Sequence, residues 1–277
     1  MASPLIRQSV VIRAVFMVDA RLTGIVGDVA IVVLSPHLDD AVLSCWHVLT
    51  KPGELTVINL FTGVPTGLDA PAWWDQFTGA TDSAARVRER IEEDRRALAL
   101  AGRTAVNLGF LDEQYRHEAQ PLGALTEQIE RLLVPGVRIY APAALANHAD
   151  HALVRAAALE LRAAGFAVSL YADLPHATVH GWPAWVTSRS ARAAEDLVGA
   201  IWDEVLAGTG AMAPAVHHLD VEDYARKLRA VRMYGTQLPA LTELAGRPLT
   251  DRATLGYEVA WSTASRAGAG ERLSRRL

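Results

Sequence analysis

Two short stretches of the chain gather side chains able to hold a cation and move a proton. Ser35-Pro36-His37-Leu38-Asp39-Asp40 follows the apolar run VAIVVL, and His148-Ala149-Asp150-His151 follows VRIYAP after a short loop. His37 and Asp40 are three residues apart, so a tight strand-to-helix turn can aim both at one point while Asp39 stays free. His148 and His151 repeat that spacing. Imidazole nitrogens and carboxylate oxygens suit Zn²⁺, and Fe²⁺ or another divalent metal could substitute. Three protein ligands with an open fourth position make a catalytic zinc site. A free carboxylate beside the ion can take a proton from water whose pKa falls to about 7, and a second histidine can support a developing oxyanion. Each stretch alone would also serve as a helix cap. Their joint occurrence, with one spacing at two strand ends, favours the chemical reading.

The elements that would position these groups alternate along the chain. VAIVVLS, LTVINLF, TAVNLGF, VRIYAP and AVSLYAD read as strands, apolar throughout as in a parallel sheet covered on both faces. Between them SAARVRERIEEDRRALALAG, with Ser83 as a candidate N-cap, LGALTEQIERLL and DHALVRAAALELRAAG read as helices. The fold class is therefore α/β, a Rossmann-like open, mostly parallel sheet with helices on both faces. Its ligands are expected outside the carboxyl ends of the strands. Later, EDLVGAIWDEVLAG and VEDYARKLRAVRMYGTQLPAL read as helical and LGYEVAWS as a strand. No repeat or linker stands out, so a single domain over 1–277 is expected, with an N-terminal extension over 1–28 and a peripheral tail over about 266–277. The long loop carrying Trp73 and Trp74 is a candidate pocket wall.

Composition narrows the function. A net charge of -4 over 277 residues gives no basic surface for nucleic acid. The single cysteine, Cys45, removes any disulfide scaffold. No apolar run approaches the roughly 20 residues of a membrane helix. A cytoplasmic protein without membrane or nucleic-acid partners is expected, and a homo-oligomer is left open.

SPHLDDAVLS together with HADH resembles the PIG-L/LmbE family of zinc-dependent N-acetylglucosaminyl deacetylases, whose signatures are HPDDE and HPDH. RIEEDRRALALAG, NLGFLD, YADLP and KLRAVRMYGTQL resemble further segments of the family, so the similarity spans 29 to 262. Leu38 and Ala149 stand where the family has prolines, Ala41 where it has an acidic residue, and Asn147 where a glycine often precedes the histidine. The resemblance implies metal ligands at His37, Asp40 and His151 and a general base at Asp39. It implies an oxyanion-stabilising His148 oriented by Asp150, and a substrate contact at Arg90. The activity it implies is removal of an N-acetyl or other N-acyl group from a small-molecule amino sugar or glycoside. Amidase or deacylase action on a glycosylated natural product, and a non-catalytic sugar-binding protein on the same fold, are the alternatives.

Among the remaining residues, Asp112 and Asp173 follow strands and are candidate substrate contacts. His176 or His180 is expected to line the pocket. Cys45 and His47 are two apart and are not expected to form a nucleophile–base pair. His217 and His218 precede Asp220, a candidate cap, and His117 reads as a loop residue.

Overall fold

The computed structural model describes residues 29–187 and 196–264. The expected extension over 1–28 and the tail over about 266–277 lie outside those ranges. The first strand, β1 (Ile31–Ser35), has Val32 to Ser35 all buried. Successive side chains of a strand point to opposite faces, so a run buried at every position is covered on both sides. A sharp turn leads to α1 (Asp40–Ser44) and, after a break at Cys45, to α2 (Trp46–Leu49). There follow β2 (Leu55–Asn59), α3 (Trp73–Phe77), α4 (Ser83–Ala99), β3 (Ala105–Asn107), α5 (Leu122–Glu130), β4 (Arg138–Pro142), α6 (Ala149–Ala163) and β5 (Ala167–Tyr171).

These five strands are parallel, in the order β3-β2-β1-β4-β5. The chain winds outward from β1 through β2 to β3, then returns to build β4 and β5 on the other side. The switch point therefore lies between β1 and β4, where a crevice opens at the carboxyl ends of both strands. Both His/Asp stretches sit there. One set of helices, α5 and α6, packs together beside β4 and β5, while α1 and α4 pack against α9 (Val221–Val231).

The last third extends the sheet in the opposite sense. After α7 (Ala184–Thr187) and α8 (Leu197–Leu206), β6 (Ala211–His218) pairs antiparallel with β7 (Tyr257–Thr263), and β7 pairs antiparallel with β5. β6 forms the edge and carries Pro214, which an edge strand tolerates because it has no N–H to donate. Its sequence, AMAPAVHH, has a single β-branched residue, Val216, so it lacks the β-branched signature of the other strands.

Local expectations shift in two places. The cap of α4 is Asp82, which accepts from the Ala85 N–H. Ser83 instead uses its hydroxyl to accept from the Ala72 N–H, tying the preceding loop to the helix. The stretch from Val221 to Leu241 is two helices, α9 and α10 (Leu238–Ala245), because the Glu93 carboxylate accepts from the Thr236 N–H and hydroxyl and fixes the break between them. α11 (Arg252–Leu255) then leads into β7.

Candidate metal centre and its cavity

The turn after β1 is built by side chains. The Ser35 hydroxyl donates to His37 O and accepts from the Ala41 N–H, and the Asp40 carboxylate accepts from the His37 N–H at 2.8 Å. Asp40 is thereby locked beside the His37 ring, its Oδ2 3.5 Å from Nδ1. Asp39 occupies the cap position of α1 but makes no side-chain cap bond, so its carboxylate is not spent on the helix.

The second stretch reaches the same point from β4. Asn147 has φ +57°, the left-handed region that glycine and asparagine tolerate best. That turn explains an asparagine at the position where glycine is common. His148 caps α6 through Nδ1, which accepts from the Asp150 N–H at 3.3 Å and so leaves the ring proton on Nε2. His151 is fully buried, with Nε2 3.4 Å from Asp40 Oδ2. The rings of His37 and His151 lie 5.3 Å apart, and those of His37 and His148 5.1 Å apart.

His37, Asp40 and His151 each offer one ligand atom within 4.8 Å of the others. Two observations fit a cation there. His151 Nε2 is buried with no hydrogen-bond partner. The local field also favours positive charge: although burial opposes it, Asp150 and Asp40 raise His37 well above the ordinary histidine range, and Asp40 and Asp173 raise His151. Asp40 is depressed despite its burial, by His151 and His37. Asp39 behaves oppositely: burial and the adjacent Asp40 charge raise it to about 7. Burial and the neighbouring His37 and His151 lower His148 to about 3, so its ring is neutral.

The supporting groups were only partly anticipated. The Asp150 carboxylate does not reach His148. It lies 3.2 Å from His37 Nε2, 2.6 Å from an Arg116 guanidinium nitrogen and 3.0 Å from the Glu113 N–H. The hydrogen bond between Asp150 and His148 thus comes from the Asp150 backbone N–H. Asp173, expected as a substrate contact, is fully buried and bonds His151 Nδ1 at 2.9 Å. Both candidate ligand histidines therefore have a carboxylate on one ring nitrogen, the usual outer support of a metal-bound imidazole. Arg116 had no motif to reveal it; it also lies over the Phe61 ring, 5.0 Å from its centroid.

A cavity of about 500 Å³ opens over this cluster. His37, Asp39, Asp40, His148 and His176 line it, as do Arg90 and Asp112. Arg90 is buried and paired with Asp75 at 3.0 Å. Asp112 caps the turn at Glu113–Tyr115 and lies 3.8 Å from His37 Nε2. His176 sits against His148 and His151, whereas His180 and His117 are exposed. His47 bonds Glu258 and stacks on His217, away from the cavity, and Cys45 is a buried helix-junction residue.

With this geometry in place, residues 32–162 match the family model described as PIG-L, GlcNAc-PI de-N-acetylase. They form a PIG-L family domain. The chain is 26% identical over 190 residues to the 2'-N-acetylparomamine deacetylase of Niallia circulans, spanning 54% of this chain and 69% of that one. The crystal structure of the A40926 pseudoaglycone deacetylase superposes with a TM-score of 0.65 at 26% identity, covering 86% of this chain and 98% of the other. A zinc-inhibited teicoplanin deacetylase shares the fold, with a TM-score of 0.63 at 21% identity, 87% of this chain and all of the other being covered. These three similar proteins are deacetylases. Among the described residues no helix is long and apolar enough to cross a membrane.

Proposed function

We propose that the protein is a metal-dependent amide hydrolase that removes an N-acetyl or other N-acyl group from an amino-sugar-containing molecule. The observation that carries this reading is the buried His151 Nε2, without a hydrogen-bond partner, beside Asp40 and His37, which both line the cavity. Zn²⁺, or another divalent ion, held by these three residues would supply Lewis-acid polarisation of the amide carbonyl and a lowered water pKa.

The chain's own groups do the rest. Asp39, with a pKa near 7, is matched to accept a proton from attacking water at neutral pH and to release it again. His148, neutral and protonated on Nε2, donates a hydrogen bond to the oxygen on which negative charge develops. The nitrogen leaves as an amine once it has received a proton, and the acyl group leaves as a carboxylate. Arg90 and Asp112 line the same cavity and offer a donor and an acceptor for sugar hydroxyls.

The test is metal analysis of the purified protein combined with acetate release from a panel of N-acetylated glycosides. Bound or restorable zinc with acetate release is expected. A protein that stays inert on every glycoside after Zn²⁺ is added would overturn the reading.

A further inference from the structure

The mouth of the cavity carries apolar side chains in addition to the polar groups near the His/Asp cluster. Trp73 and Trp74 of α3, Val87 of α4, and Leu241 and Leu244 of α10 line it. Trp73 is 65% exposed and Leu244 58% exposed although both belong to the wall. Exposed apolar surface contiguous with a polar site is surface that a ligand can cover. The Trp73 and Trp74 rings meet edge to face at 5.5 Å, and Phe77 backs Trp74 at the same distance.

The wall is fixed by a buried charge. Asp75 is fully buried, accepts from the Tyr115 hydroxyl at 2.6 Å and pairs with Arg90 at 3.0 Å. Arg86 donates to Thr78 O at the far end of α3, and Ala72 N donates to Ser83 at the near end. Burying a carboxylate costs desolvation energy that only good pairing offsets. Here that pairing holds an exposed tryptophan over the cavity. Arg90 and Tyr115 themselves line the cavity, so one carboxylate sets both the polar wall and the aromatic rim.

We propose that the α3 and α10 side chains form a subsite for a flat, apolar aglycone carried by the amino sugar, and that Asp75 is its positioning residue. The proposal rests on the amide-hydrolase reading for its location but not for its binding chemistry. The scissile acyl group must sit at the buried end among His37, Asp40 and His148. The part of the substrate that reaches Trp73 and Leu244 at the solvent end is then the far side of the sugar. Indole faces favour offset or edge contacts with another flat ring.

Zinc-loaded protein is assayed on N-acetylglucosamine and its methyl, phenyl and 2-naphthyl glycosides, with N-octanoylglucosamine as a separate arm. Binding of the naphthyl glycoside is read on metal-free protein by calorimetry. The naphthyl glycoside is expected to exceed the methyl glycoside at least about tenfold in kcat/KM, the scale of discrimination an apolar pocket supplies. In Trp73→Ala, an exposed site at which folding is safe, that ratio collapses and calorimetric binding weakens. In Asp75→Asn the ratio falls as well, although no group of the apolar surface has been removed. A ratio near one in wild type overturns the subsite and leaves the hydrolase reading intact. Preference for N-octanoylglucosamine over the naphthyl glycoside assigns the wall to the acyl chain and also overturns it. Trp73-dependent binding without turnover of any glycoside supports the subsite and removes the hydrolase reading instead.

Discussion

The Asp150 carboxylate faces His37, 113 residues away, rather than His148 two residues before it. Its other oxygen is held by Arg116, so a guanidinium, a carboxylate and an imidazole lie in line behind the candidate ligand. The partners outweigh the cost of burying Asp150 and hold it at about 2. An ionised carboxylate on Nε2 leaves Nδ1 of His37, the nitrogen beside Asp40, free to bind a cation.

Asp150→Asn should therefore weaken metal binding by about 10–100-fold, the usual effect of losing such outer support. Arg116→Ala should act in the same direction and Arg116→Lys should restore part of the loss. Competition against a chelator of known affinity measures this without any substrate. Unchanged zinc affinity in Asp150→Asn would show that the contact does not support the ligand.

A second buried charge cluster predicts acid sensitivity. Glu258 accepts from Lys227, from the Trp46 and His47 N–H groups, and from His47 Nδ1. Burial alone would raise its pKa, but Lys227 and His47 prevail and hold it at about 2, below its ordinary value of 4.5. A depressed folded-state pKa gives stability that is complete above 4.5 and is lost as pH falls toward 2. At pH 7, Glu258→Gln should cost about 3–5 kcal/mol because Lys227 is left buried and unpaired. The difference in stability from wild type should narrow on acidification below about 4.5, as denaturant melts at several pH values would show. A constant difference down to pH 2 would be incompatible with this account.

The turn into His148 depends on Asn147 at φ +57°. Glycine adopts that conformation freely, so Asn147→Gly should preserve both the melting temperature and metal binding. A β-branched residue is strained there, and Asn147→Val should lose at least about 1–2 kcal/mol. Equal stability of the two variants would argue against the left-handed turn.

What was legible in the sequence follows from the range of the interactions involved. The β1 and β4 runs are apolar at consecutive positions because the sheet is covered on both faces, and that is a local signal. His37, Asp40, His148 and His151 were legible because each lies just beyond such a strand, and the strand order brings the two ends together. The contacts of Asp150, Asp173, Arg116 and Asp75 are not legible, because their partners lie 22 to 113 residues away and no spacing encodes them. β6 is illegible for a different reason: its run AMAPAVHH is rich in alanine, interrupted by Pro214 and holds one β-branched residue, so nothing local marks it as a strand.

Under the proposed mechanism, a substitution at Asp39 should separate catalysis from metal binding. Its carboxylate is buried beside Asp40 yet makes no cap bond, and Asp39 is not one of the three residues of the candidate cation site. Asp39→Asn keeps the shape and a hydrogen-bonding amide but cannot accept a proton. Zinc affinity should stay close to wild type while kcat falls by about 10²–10⁴, the contribution of a positioned general base. Replacing a carboxylate raised to about 7 with a neutral amide also relieves the repulsion that Asp40 feels, so the fold should be no less stable. Single-turnover rates with metal content measured on the same samples decide the matter: a fully loaded Asp39→Asn variant that hydrolyses substrate at the wild-type rate would leave the carboxylate without a role in proton transfer.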